Sequence, residues 1–242
     1  MFDVNRYFGV DYIIFDILFA LLFLFLLYRN KHRVAFWAYF AGGLGINMMV
    51  DWGFWLHTGI REIVLPTSFL PFISSFDLRV FIFFFWFSLT YGVEYAYTFV
   101  MFKKDSNKLF WTLLVFFGWI LVALLSQSLH IYDDQITTIR HMADTRLIRL
   151  GLVVLGYGIL LLLKYPIKKI AYLFAVGFSI HFMMEFALYI TGIRPTSLLI
   201  LVENSLIEFN MGVPFFFLLW DRWLKKFEKN SPIKENISLA SL

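Results

Sequence analysis

Asp51, Glu94, Arg149, His181, Glu185, Glu203, Asn204, Glu208 and Asn210 are the residues of this sequence best suited to chemistry, because they interrupt stretches otherwise built of Leu, Ile, Val and Phe. His181 stands four residues before Glu185, so the two share one helix face. Such a pair acts as an oriented base or proton relay, or supplies two metal ligands. The structural alternative is a satisfied pair that locks the helix. Asn204 and Glu208 are one turn apart, and Glu203 and Asn210 follow a neighbouring line, which makes one polar arc. Pro214 lacks the N–H that would bond the carbonyl of Asn210, so a kink beside the arc is expected. Asn47, Asp51 and Thr58 share a face of an earlier helix, with His57 turned elsewhere. Glu94 lies one turn from Thr90 and from Thr98, on the inner half of its helix. It reads as the inward continuation of a pathway, or as a structural acid held by those threonines. Among the cations near the outer helix ends, Arg149 joins the cavity, whereas Arg79, Arg146 and Arg194 read as snorkelling anchors. In an enzyme, His181, Glu185 and Glu208 would be catalytic, and the same three would be the ligands of any metal.

The elements that must position these groups follow from composition. Hydrophobic residues make up 60% of the chain and charged ones only 16%, against about 25% charged in a soluble domain. Apolar runs extend over roughly 12–28, 34–57, 77–102, 109–132, 147–163, 170–192 and 198–220, each about long enough to cross a hydrocarbon core of about 30 Å. The reading is an all-α polytopic membrane bundle of about seven transmembrane helices. Residues 1–222 form its single domain and 223–242 a polar tail. Arg29, Lys31 and Arg33, then Lys103, Lys104 and Lys108, then Lys164, Lys168 and Lys169, then Arg222, Lys225 and Lys226 fall at alternate helix ends. The other ends carry arginines such as Arg61, Arg140 and Arg194 and no lysine. The positive-inside rule then puts the N-terminus outside and the C-terminus in the cytoplasm. Trp37, Trp52, Trp55, Trp111 and Trp220 lie near helix ends and read as interfacial anchors.

Thr58-Gly59-Ile60-Arg61 closes the second helix and Thr191-Gly192-Ile193-Arg194 the sixth, each after methionines and an acid. Helices one to three and five to seven then read as parallel copies joined by the fourth, a 3+1+3 repeat. The acids are out of register by one residue, and chance similarity in apolar sequence is the alternative.

With no cysteine, neither a thiolate nucleophile nor a Cys-ligated metal or cluster is available. The last helix has no lysine for a retinal Schiff base, and the receptor, zinc-hydrolase and prenyl-protease motifs of other multispanning proteins are missing. No cofactor is expected. The charge is distributed for a membrane rather than for nucleic acid, and membrane lipid and a small-molecule or lipid-like ligand are the expected partners. The favoured function is a carrier or binding protein for a small polar or amphipathic solute, with an outward-opening acidic cavity. The alternatives are an intramembrane enzyme acting on a lipid or isoprenoid by acid/base chemistry, and an assembly subunit.

Overall fold

The computed structural model describes residues 3–104, 106–129, 134–141 and 146–229, and these are mostly helical. Helix α1 (Val10–Arg29) shows how the bundle is built: its exposed positions include Ile14, Leu18, Leu21, Leu22 and Phe25, while Asp16 is buried. That is the reverse of a water-solvated helix, which turns its polar stripe outward. Asp16 accepts hydrogen bonds from Trp86 Nε1 (3.0 Å) and Thr90 Oγ1 (2.6 Å) and so fastens α1 to α3 (Phe76–Phe102). Together with α4 (Lys108–Leu129) and α6 (Ile167–Ile190), α1 and α3 are long and apolar enough to cross a membrane.

Helix α2 (Arg33–Phe40) continues as wide π-helix over Ala41–Asn47 and Met49–Trp55 and packs along α3. The approach is close. A Cβ added at Gly42 would lie 2.1 Å from the Tyr95 ring, and one at Gly92 of α3 would lie 2.7 Å from the Tyr39 carbonyl. Gly42 is therefore a contact residue, whereas Gly45 faces open space.

Helix α5 (Arg146–Leu162) packs on α6, on α7 (Leu198–Ile207) and on α8 (Val213–Leu219). The kink expected before Pro214 is an interruption of regular helix: α7 stops at Ile207, residues 208–212 form turns that keep some i→i−4 bonds, such as Met211 N–H to the Ile207 carbonyl (3.2 Å), and α8 resumes with Pro214 in its first turn. Proline suits that position because first-turn amides have no helical acceptor to lose. The chain then runs through a short π-helical turn (Trp220–Leu224) into α9 (Lys225–Lys229). Helix thus continues into the segment expected as a polar tail. Its residues 230–242, like Tyr132 at the end of the fourth apolar run, lie outside the described residues.

One end of the bundle is capped by an antiparallel sheet of β1 (Asp3–Gly9), β3 (Gln135–His141) and β2 (Arg61–Val64), in the order β1-β3-β2. The all-α expectation lacks this sheet. β1 and β3 have seven residues and β2 four, and their buried positions include arginine. A window long enough to detect a spanning helix averages such segments away, and an arginine on the inner face breaks the apolar alternation that marks a strand.

Candidate functional site

The sheet buries one arginine from each strand, and each meets a carboxylate on a different helical segment. Arg6 of β1 alternates with Val4 and Phe8 on the inner face, and its Nη2 lies 2.8 Å from Glu185 of α6. Its Nη1 donates to the Tyr91 hydroxyl at 2.7 Å. Arg61 of β2 grips Asp51 of the π-helical stretch Met49–Trp55 through Nε (2.9 Å) and Nη2 (2.8 Å). Arg140 of β3 reaches Glu208 at the α7/α8 break, at 3.4 Å. Two further arginines complete the set: Arg149 of α5 binds the other oxygen of Glu208, and Arg194, after α6, binds Glu185.

Arg61 and Arg140 are directly opposed across β2 and β3, an arrangement that alone is repulsive. Trp55 relieves it. The guanidinium groups of Arg61, Arg140 and Arg149 lie 5.4, 5.3 and 5.0 Å from its ring centroid, within the range of cation–π attraction. Trp55 is therefore part of the site rather than the interfacial anchor its position near a helix end suggests. Trp111, also expected as an anchor, is buried in the core.

Asp51, Glu94, His181 and Glu208 converge on one cavity of about 150 Å³, together with Asn47, Tyr91, Arg61 and Arg140. A water needs roughly 10–15 Å³ of such space, so the cavity has room for several waters or one small headgroup. Asn47 accepts a hydrogen bond from Tyr95 at 2.9 Å. His181 spans two helices: its Nδ1 is 3.2 Å from Glu94 of α3 and its Nε2 3.6 Å from Glu185. Nδ1 is therefore hydrogen-bonded to Glu94, whereas Nε2 lies beyond hydrogen-bond reach of Glu185.

Other expected members stand apart. Glu203 is 43% exposed and pairs with Arg146 at 2.9 Å, because it sits one residue, about 100° of helix, away from the buried Asn204. Asn204 accepts from Arg146 Nη2 at 3.1 Å, and Asn210 accepts from the Tyr157 hydroxyl at 2.6 Å; both are buried outside the cavity wall. Thr58 is exposed and caps its own helix. Thr98 bonds the backbone carbonyl of Glu94 and Thr90 bonds Asp16, so neither holds the Glu94 carboxylate; His181 does. Among the described residues no three His, Asp or Glu side chains gather as a metal site.

The cavity is not simply acidic, because its carboxylates are met by guanidinium groups. Arg194, read from sequence as an anchor, is 1% exposed. Arg79 is held at the surface by the carbonyls of Pro66, Thr67 and Phe69. Arg140 lines the cavity with its Nε and Nη2 lacking a protein acceptor. A buried donor left so costs about 1–3 kcal/mol, and more when charged, so the site favours an acceptor there. Sequence reasoning passed over Arg6, Arg61 and Arg140. The signal that finds them is the position of each arginine in a short β-branched or aromatic segment next to a helix, as in Gln135-Ile-Thr-Thr-Ile-Arg140.

The two Thr-Gly-Ile-Arg segments are alike in geometry. Thr58 donates to the Phe54 carbonyl (2.9 Å) and Thr191 to the Ala187 carbonyl (2.8 Å). Gly59 and Gly192 adopt φ of 72° and 76°, the left-handed helix stop that glycine allows. The carbonyls of Ile60 and Ile193 accept backbone N–H groups from His141 of β3 (2.9 Å) and Tyr7 of β1 (2.8 Å). Each arginine then turns back onto the acid of the preceding helix. Asp51 precedes Arg61 by 10 residues, one more than separates Glu185 from Arg194. The π-helical winding at Met49–Trp55 takes up that extra residue.

Comparison with family models, with curated proteins and with solved structures returns no match.

Proposed function

We propose that the protein is an integral membrane carrier or binding protein for a small anion, or for the anionic end of an amphipathic solute. In this reading seven segments span the bilayer: α1, α2 with its π-helical continuation, α3, α4, α5, α6, and the broken α7/α8. The sheet lies on the outer face with the N-terminus, and the lysine-bearing end faces the cytoplasm, in line with the positive-inside rule. The matched Thr-Gly-Ile-Arg geometries, and β1 and β3 leading into α1 and α5, support two parallel three-helix repeats joined by α4.

The observation that carries the reading is Arg140, buried on the cavity wall with donors that no protein group accepts. The helix break at Glu208 supports it, since discontinuous spanning helices recur at the binding sites of secondary transporters. Proteoliposomes loaded with labelled butyrate or inorganic phosphate test it. Saturable protein-dependent flux or binding of one of them is expected, reduced at least about tenfold in Arg140→Gln, the loss of one charge-assisted hydrogen bond. Uptake and binding no different from protein-free vesicles for both anions would overturn the proposal.

His181, buried on the cavity wall and hydrogen-bonded to Glu94, favours a second reading: acid/base chemistry on a lipid or isoprenoid within the membrane. Turnover of a lipid by purified protein, lost in His181→Ala, would select it over the carrier.

A further inference from the structure

Where α1 turns into α2, Arg29, Lys31 and Arg33 rim a pocket of about 450 Å³, and among the described residues no carboxylate lines it. The sheet end is built differently, since its buried arginines meet acids. The walls of the pocket are mostly aromatic. Ring centroids lie 6.4 Å apart for Tyr28 and Phe36, and 5.6 Å apart for Phe36 and Trp37. Tyr28 and Trp37 are exposed, as are Leu18, Leu21 and Phe25, which form one stripe of α1 with Tyr28. On a spanning helix that stripe faces acyl chains, and the pocket at its end lies where hydrocarbon gives way to headgroups.

The backbone singles out Lys31. Helix α1 stops in a Schellman turn, in which the Lys31 N–H donates to the Tyr28 carbonyl (3.1 Å) and the His32 N–H to the Leu27 carbonyl (3.0 Å), with Lys31 at φ 57°. Glycine takes that left-handed position with least strain, and Gly59 and Gly192 fill it at the sheet end. A lysine held there against the backbone preference points to a use for its ammonium. Helix α5 ends in the same turn: Lys164 N–H bonds the Leu161 carbonyl (2.9 Å), Tyr165 N–H bonds the Leu160 carbonyl (3.1 Å), and Lys164 has φ 60°. Arg29 and Arg33 stand two places to either side of Lys31, whereas Leu162 and Pro166 hold those places around Lys164.

We propose that this pocket binds the headgroup of an anionic phospholipid, with its phosphodiester held by Arg29, Lys31 and Arg33 and its acyl chains against the exposed stripe of α1. Cations with no carboxylate among them select an anion, and guanidinium forks match phosphate oxygens. The adjoining apolar stripe selects a lipid over a soluble phosphate ester. Each basic residue beside a spanning helix strengthens attraction to anionic lipid by about fivefold. This binding requires the membrane placement given above and is independent of the anion cavity.

Dioleoylphosphatidylglycerol and dioleoylphosphatidylcholine, which share their chains, test this by titration onto the full-length protein in detergent, with bound lipid counted by native mass spectrometry. Tighter binding of the anionic lipid is expected. It should weaken about fivefold in Lys31→Gly and at least about fiftyfold when Arg29→Gln and Arg33→Gln are added. Lys31→Gly relieves the left-handed torsion, so its unfolding midpoint should not fall, and weaker binding in that variant is not a loss of folding. Lys164→Gly makes the same change of charge and backbone at the α5 turn and should bind as wild type does. Equal weakening in the two single variants would assign the effect to diffuse surface charge and overturn the proposal. So would displacement by deacylated glycerophosphoglycerol as effective as by the intact lipid, which would make the occupant a soluble ester. Alkaline carbonate extraction separates the two levels: release of the protein from vesicles overturns the membrane placement and the lipid site together. Retention in the vesicles with equal affinity for the two lipids overturns the lipid site alone.

Discussion

The two ends of the bundle both carry clustered positive charge and treat it in opposite ways. At the sheet end the buried cations are arginines: Arg6, Arg61, Arg140, Arg149 and Arg194 lie against carboxylates and aromatic rings. At the other end Arg29, Lys31, Lys104, Lys164, Lys168 and Lys225 are exposed, and the pair Lys225–Asp221, at 2.8 Å, has its lysine 45% exposed. Side-chain chemistry accounts for the division. A guanidinium is weakly hydrated, stays charged and offers a planar fork of donors, so one arginine can bond a carboxylate while it stacks on an aromatic ring. An ammonium is strongly hydrated and is best left in water. Charge at the sheet end therefore shapes an interior site, whereas charge at the lysine end marks a surface.

The comparison can be broken most directly at Glu185, which meets Arg6, Arg194 and His181. Glu185→Gln leaves buried guanidinium charge uncompensated, and a loss of about 3–5 kcal/mol is expected, read as a large fall in the unfolding midpoint in detergent. A midpoint within error of wild type would show that the buried network is not what holds the sheet to the bundle. Trp55→Leu should do less. It removes the ring shared by Arg61, Arg140 and Arg149 and should destabilise by about 2 kcal/mol, with weaker anion binding. A stable variant with unaltered binding would reduce Trp55 to packing.

A smaller effect is expected on the outward side of the sheet. His141 of β3 lies 2.8 Å from Asp3 of β1 and 3.2 Å from Glu62 of β2, and these two acids raise its pKa above the ordinary value. Because the folded value is the higher one, the contribution is complete below about pH 6.5 and fades as pH rises through the raised folded value. Hydrogen exchange of the β1 and β3 amides should therefore show protection, corrected for intrinsic rate, that declines from pH 5.5 to 8.5. In His141→Gln the profile should be flat, and an equal decline in that variant would assign it elsewhere. Smallest of all is Lys225→Gln at the lysine end, where an exposed pair contributes within about 0.5 kcal/mol; a larger loss in the same denaturation assay would erase the contrast between the two ends.

Much of the site was readable from single residues. Asp51, Glu94, His181 and Glu208 stand out because a carboxylate or imidazole in an apolar run needs an internal partner. The interruption after Ile207 was foreshadowed by Pro214, whose backbone chemistry acts locally. The partners were not readable. Arg6 and Glu185 are 179 positions apart, and Arg140 and Glu208 are 68 apart. No periodicity within one element can join them. Glu203 was misjudged for the same reason: helical phase gives an angle around the axis but not which neighbour that angle faces.

By itself, the sequence determined that long apolar helices exist, that lysine is confined to one set of helix ends, and that acids are buried among them. These follow from local quantities: side-chain transfer energy, helical rise and backbone torsion. Only the tertiary structure decided that three short strands meet in one sheet, that their arginines neutralise acids from separate helices, and that a polar cavity forms beside Arg140. Those features depend on distances between segments remote in the chain, which are fixed when every buried charge and every close helix contact is satisfied at once.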